Sequence, residues 1–212
     1  MKRILKNSLL FLLVLLWILA CKSTPYSDLK NGDLLFVTAK SSGLSGAINN
    51  VTQKNETESF DHIGLLRKEG AKWFVLHSEP KKGSWKQELP DFIKNQTADG
   101  QTIVVYRLRP PYRPAVNDAI KKAETLLGKP YNDLYILNEQ SYYCSDFIER
   151  AFRGDAIFKL EPMTFKDPKT GKVNDFWREF YSAQGVEVPE GKLGCNPNGM
   201  ASNPKIFRVK NL

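Results

Sequence analysis

One nineteen-residue stretch, DHIGLLRKEGAKWFVLHSE (Asp61 to Glu79), constrains the fold more than any other part of the chain. Apolar, β-branched and aromatic residues crowd both halves, with Lys68, Glu69 and Gly70 between them, the pattern of a β-hairpin. Centring the turn between Glu69 and Gly70 pairs residues whose numbers sum to 139, so Ile63 faces Leu76, Leu65 faces Phe74 and Leu66 faces Trp73. Apolar then meets apolar along the ribbon, and a one-residue slip would turn every side chain to the other face. The same register sets His62 opposite His77, the two histidines of the sequence. Directly opposed Cβ atoms lie about 4.5–5.5 Å apart, close enough for one imidazole to orient the other. Glu79 shares that face two residues on and could orient His62 less directly. Such a pair is either a hydrogen-bonded core feature or part of a catalytic group. Zinc held by His, His and Cys is a third reading, but the close Cys or His spacing of common zinc motifs is missing. No cofactor is implied.

Around the hairpin the pattern is that of a mixed α+β domain. Residues 33–37 (DLLFV) read as a buried strand entered by an Asn-Gly turn, and 102–108 (TIVVYRL) as another, closed by Pro110 and Pro111. A helical turn is expected around Ala47 to Val51. Ala115, Val116, Ala119, Ile120, Ala123, Leu126 and Leu127 recur with helical spacing, stopped by Gly128 and Pro130. Phe147, Ile148, Ala151 and Phe152 repeat that period. The last sixty or so residues, rich in Pro, Gly and Asn, read as chain wrapped over the core, with one helix around Asp175 to Ala183. Strands first and helices later favour α+β, with one domain over residues 33–212.

The N-terminus has its own chemistry. Lys2, Arg3 and Lys6 precede an apolar run from Leu9 to Ala20, too short for a comfortable membrane span and suited to a secretory signal. Ile18-Leu19-Ala20-Cys21 resembles the lipobox of bacterial lipoproteins. Residues 1–20 are therefore expected to be a signal peptide, Cys21 the lipid attachment point, and residues 21–32 a polar tether. Several acyl chains on one cysteine anchor firmly, at roughly 0.8 kcal/mol per buried methylene. Without residues 1–20 the chain keeps 28 Lys and Arg against 23 Asp and Glu, a net charge of +5. No basic stripe with interleaved aromatics appears, which argues against nucleic acid as partner. An exported chain of this kind would sit on a membrane of the bacterial cell envelope, on its periplasmic or surface side.

With Cys21 assigned to lipid, Cys144 and Cys195 remain, and an oxidising compartment permits a disulfide between them. Cys144, in SYYCSDFIERAF, falls at the start of an expected helix with Ser141 placed as N-cap. Unpaired N–H groups and the dipole at a helix N-terminus favour thiolate. The same N–H groups can stabilise the oxyanion of a tetrahedral intermediate. A histidine in reach would take the thiol proton and return it to the leaving group.

Several segments together resemble the permuted papain-like amidases of the YiiX/YaeF type, related to NlpC enzymes. They are NGDLLFV, DHIGLL, GKPYNDLY, YYCSDFIERAF, MTFKDPKTGKVNDFW and VPEGKLGCNPNGMASNPKI, spanning about residues 28–212. The resemblance implies a circularly permuted papain-like fold in which an antiparallel sheet packs against the cysteine-bearing helix, the histidine strand coming first. It implies a cysteine hydrolase, amidase or peptidase, acting through a thioester on Cys144. Carried over by position, Cys144 is the nucleophile, His62 the general base and His77 the orienting residue, with Glu79 the alternative third residue. Tyr131, in GKPY, is a candidate to place a hydroxyl near the oxyanion or substrate, core burial being the other reading. Cys195 departs from the family's tail pattern. The expected partner is a peptide or amide substrate, possibly a cell-wall peptide. Two alternatives stay open: an acyltransferase of the same permuted group, and a non-catalytic envelope binding protein with a Cys144–Cys195 disulfide.

Overall fold

The computed structural model describes residues 26–54 and 58–212. The expected signal peptide, the lipidation point at Cys21 and the first part of the tether lie outside the described residues. In chain order the elements are β1 (Leu34–Thr38), α1 (Gly43–Thr52), β2 (Phe60–Glu69), β3 (Lys72–Glu79), β4 (Gly83–Glu88), α2 (Leu89–Gln96), β5 (Ile103–Leu108), α3 (Ala115–Thr125), α4 (Cys144–Phe152), β6 (Glu161–Pro162), α5 (Asp175–Ser182), β7 (Leu193–Gly194), α6 (Pro197–Ala201) and β8 (Ile206–Asn211). Six strands form one antiparallel sheet in the order β4-β3-β2-β1-β5-β8, while β6 and β7 pair separately.

Alternation along the strands gives the sheet two buried faces. Leu34, Phe36, Ile63, Leu65 and Leu76 point to one side, against Val116, Ala119 and Ile120 of α3 and Phe147, Ile148 and Ala151 of α4. Leu35, Val37, Leu66 and Val75 point to the other, where α2 contributes Leu89 and Phe92. Helix α4 lies so deep that every residue from Cys144 to Phe152 is buried. Its charges are consequently paired: Arg150 donates to Asp146 at 2.7 Å and to Glu139 at 2.7 Å, and Arg153 bonds Glu149. A third cluster gathers Tyr135, Tyr143, Phe165, Trp177 and Tyr181 beyond the N-terminal end of α4.

The hairpin forms, but in a different register from that expected. Leu65 pairs with Leu76, Leu66 with Val75, Arg67 with Phe74 and Glu69 with Lys72. The loop is thus Gly70-Ala71, not Glu69-Gly70. Gly70 has φ 57°, and glycine with positive φ at the first position of a two-residue loop suits the twist of the ribbon. Pair numbers now sum to 141, a shift of two, which leaves every side chain on the face expected for it.

The Asn-Gly turn before β1 is confirmed, and its glycine is obligatory. Gly32 has φ 81°, its N–H donates to the Leu66 carbonyl at 2.8 Å, and a Cβ there would lie 2.2 Å from Val116 Cγ1. Next to it, fully buried Asp33 accepts from Arg107 Nε at 2.6 Å and Nη2 at 2.7 Å, tying the start of β1 to β5. The tail is more ordered than expected of wrapped chain: β8 extends the sheet beside β5. Gly32→Ala should lower unfolding free energy by roughly 1–3 kcal/mol, combining strained φ with overpacking, as read by urea denaturation.

Candidate active site

The β2–β3 ladder ends at Leu65 and Leu76, and the N-terminus of α4 occupies the space beyond it. Ser78 Oγ on β3 donates to the Tyr142 carbonyl at 2.6 Å. On the β2 side the Cys144 sulfur lies 3.8 Å from the Asp61 carbonyl oxygen and accepts from the Ile63 N–H. The thiol therefore brackets the backbone of His62 from both flanks. The N-cap of α4 is Tyr143, with no side-chain cap; Ser141, the expected cap, instead bonds Asn138. With no side-chain cap in place, first-turn N–H groups stay available near the sulfur, and that of Ser145 is directed to it.

The two histidines meet as expected, though diagonally. His62 Nε2 and His77 Nδ1 are 3.0 Å apart, with the rings nearly perpendicular at 80°. Both rings pack on Phe92 of α2, on the sheet face opposite the core of α4, and His77 also lies against Trp85 of β4. Gly64 makes room for this: a Cβ there would lie 2.4 Å from Val75 Cγ1 and 3.5 Å from His77 Cβ. Thiol and imidazoles thus approach the parted strands from opposite faces. Sγ makes no hydrogen bond to either ring at rest, and His62 Nδ1 has no partner among the described residues. Glu79 does not bond either histidine; its half-buried carboxyl is pushed up by desolvation, partly offset by Lys82 and Trp85.

Burial dominates the electrostatics. Desolvation lowers His62 to about 4 and holds His77 well below the ordinary imidazole range. It pushes the Cys144 thiol up to about 12, Asp61 adding to the effect, while the N–H groups of Ser145 and Ile63 oppose it. The expected pull of the helix start toward thiolate is present through the Ser145 N–H, but desolvation outweighs it. The resting pair is neutral thiol and neutral imidazole.

A cavity of about 600 Å³ opens onto Cys144 and is also lined by Tyr131, Tyr135, Met163, Phe165 and Cys195. Neither histidine lines it; both lie behind the β2 backbone. Tyr131 is held close to the segment that leads into Cys144 through a parallel bridge to Tyr142. Its phenol interacts with that of Tyr135 and is raised well above the ordinary value by burial, so it stays neutral. Cys144 and Cys195 are both free, so the structure contains no disulfide between them. Instead Cys195 clamps the helix start: its N–H donates to Tyr143 Oη at 3.1 Å and its carbonyl accepts from Ser145 Oγ at 3.1 Å. Among the described residues no group of three or more His, Cys, Asp or Glu side chains is placed to hold a metal ion.

Residues 83–96 carry two elements with no counterpart among the sequence-based expectations, and they supply Trp85 and Phe92 to the histidine face. The signal for them is Gly83, with φ 71°, opening the alternating SWKQE segment, then Pro90 at the first turn of α2.

A family model described as "Permuted papain-like amidase enzyme, YaeF/YiiX, C92 family" matches residues 28–210. Among solved structures the chain is similar to the metalloprotein yiiX from Escherichia coli O157:H7, at 18% identity with a TM-score of 0.69, covering 86% of this chain and 97% of that one. At that identity the likeness speaks for the fold. A comparison with curated proteins gives no match.

The histidine values set a pH window for stability. An imidazole lowered on folding contributes stability that is complete above about 6.5 and is lost as pH falls toward about 4. Between pH 7.5 and 4.5 wild type should lose more unfolding free energy in urea than His62→Asn, by up to about 3 kcal/mol.

Proposed function

Since the chain belongs to the permuted papain-like amidases of the YaeF/YiiX type, and so is a cysteine amidase with that fold, we propose that Cys144 is its nucleophile, His62 its general base and His77 the group that orients His62. The observation that carries this assignment is the 3.0 Å contact between His62 Nε2 and His77 Nδ1, made directly behind the strand segment that the Cys144 sulfur touches. With Nε2 engaged, Nδ1 of His62 is left to serve the thiol. For transfer the sulfur leaves the Asp61 carbonyl and the His62 ring swings round the edge of β2 to meet it, whereupon the thiol gives its proton to Nδ1 and attacks the substrate carbonyl. N–H groups of the first turn of α4 receive the oxyanion, with the Tyr131 hydroxyl as a further donor. Collapse to the thioester passes the proton from His62 to the leaving amine, and water then hydrolyses the thioester with His62 again as base.

Neutral resting partners suit this order of events. A buried thiol at about 12 does not ionise in advance, so proton transfer accompanies attack. The similar protein is described as a metalloprotein, but the described histidines, cysteines and carboxylates of this chain form no group of three able to hold an ion. No step is routed through a metal.

The substrate is an amide of a cell-envelope peptide, cell-wall peptide first among these, met by an enzyme that the Cys21 lipid holds at a membrane surface. The signal-like residues 1–20 and the sequence around Cys21 support that placement. A second reading, acyl transfer from a lipid ester to an amine or alcohol, is favoured by the apolar side chains Phe165 and Met163 along the cavity. Separate incubation with cell-wall peptides and with phospholipid vesicles decides between them by which pool yields product.

On the productive pool, Cys144→Ala and His62→Ala should each lower turnover by roughly 10³-fold or more. His77→Ala should cost on the order of 10²-fold and Glu79→Ala little. Near-wild-type turnover in either of the first two would end the assignment, and the reverse order in the second two would give Glu79 the orienting role. Cys21→Ser should abolish metabolic labelling by an alkyne fatty acid.

A further inference from the structure

The far side of His77 is as informative as the side that meets His62. His77 is fully buried, yet its Nε2 has no hydrogen-bond partner. Gln87 on β4 is 3% exposed, and its Oε1 is likewise buried and unpartnered. The β3–β4 ladder pairs His77 with Trp85 and Val75 with Gln87. His77 and Gln87 are therefore diagonal neighbours on one face, a separation that a long side chain spans. One is a ring nitrogen able to donate, the other an amide oxygen able only to accept. Two buried polar atoms of complementary kind on adjoining strands have each other as the natural partner, and leaving both unmet is costly.

We propose that Gln87 is a positioning residue for the histidine pair, its Oε1 accepting the proton of His77 Nε2–H and thereby fixing the tautomer of both rings. The inference rests on the Cys144–His62–His77 assignment. With its proton held on Nε2, His77 presents a bare Nδ1. That lone pair accepts from His62 Nε2–H across the 3.0 Å contact, and the proton on His62 Nε2 leaves Nδ1 bare for the thiol. The opposite polarity would place a proton on His62 Nδ1 and make it useless as a base. Gln87 thus fixes which nitrogen of which ring can act, without touching the reacting atoms. The Gln87 side chain also acts to raise His77, as an acceptor does, against burial, His62 and Lys82. Other titratable groups near the pair are Asp61 and Glu79 on β2 and β3 and Cys144 on α4; the face of α2 packed on the rings presents Phe92, which is apolar.

Histidine ¹⁵N spectra of the intact protein near pH 7.5 read the tautomers directly. In wild type both rings should carry the proton on Nε2. Gln87→Leu should turn the His77 signal into a tautomer mixture, and the near-isosteric Gln87→Glu, which keeps an acceptor, should retain Nε2–H. The second readout is the rate of Cys144 alkylation by iodoacetamide against pH. Gln87→Leu should slow it about tenfold, within the range of general-base effects. Gln87→Glu should restore the rate with its acid limb moved to higher pH. A glutamine that only packs would alter melting temperature and leave tautomer and pH profile unmoved, which would overturn the proposal, as would a wild-type His77 protonated on Nδ1. If Gln87→Leu does not fold, the spectrum and pH profile of Gln87→Glu still decide. His62→Ala separates the two ideas: unchanged alkylation there ends the base assignment, while the wild-type spectra judge Gln87 independently.

Discussion

Beyond Leu65 and Leu76 the backbones of β2 and β3 stop pairing, and the start of a helix is bonded to both strands there. Ser78 takes the Tyr142 carbonyl, and the flanks of His62 take the sulfur of Cys144. A continued ladder would have closed the sheet and left α4 to pack on its face like any other helix. The parting of two strands is what converts a packed α+β layer into a place where a thiol and an imidazole share one stretch of backbone. Gly64 belongs to the same arrangement, since its missing side chain lets Val75 and His77 lean across the gap.

The depth of that arrangement decides its charge state. A helix terminus and two N–H groups pull the thiol toward ionisation, yet burial prevails and the group rests near 12. His62 is driven the other way, to about 4. On the proposed assignment, the thiol waits for a bound substrate whose developing negative charge the helix N–H groups receive, since a neutral sulfur is a weak nucleophile.

Much of this was legible in the order of residues and some of it was not. Alternation in β2 and β3 identified the ribbon and the faces of its side chains. The turn was misplaced by one residue because Glu69-Gly70 and Gly70-Ala71 satisfy the apolar pattern equally, and only the positive φ of Gly70 separates them. A shift of two in pairing preserves facing, which is why His62 and His77 still meet. The helical period placed α3 and α4 well. Ser141 failed as a cap because the segment before Cys144 is held by Tyr131, Ser78 and Asn138 from elsewhere in the chain. For β4, α2 and β8 the local signal is short, and the partners that make them regular lie on other strands. Gln87 was invisible for the same reason, since its meaning depends on a neighbour across a ladder.

Helix α6 reaches back over the whole length of the domain: Asn198 Oδ1 accepts from the Phe60 N–H at 2.7 Å, across 138 positions of sequence, while Cys195 grips the start of α4. Contacts so distant in the chain form late, since ordering the intervening loop must precede any gain from closing it. During synthesis the early β-ribbon and the sulfur-bearing helix can therefore exist before the wall around them does. The shielded surroundings of the Cys144 thiol are therefore complete only once the tail has arrived.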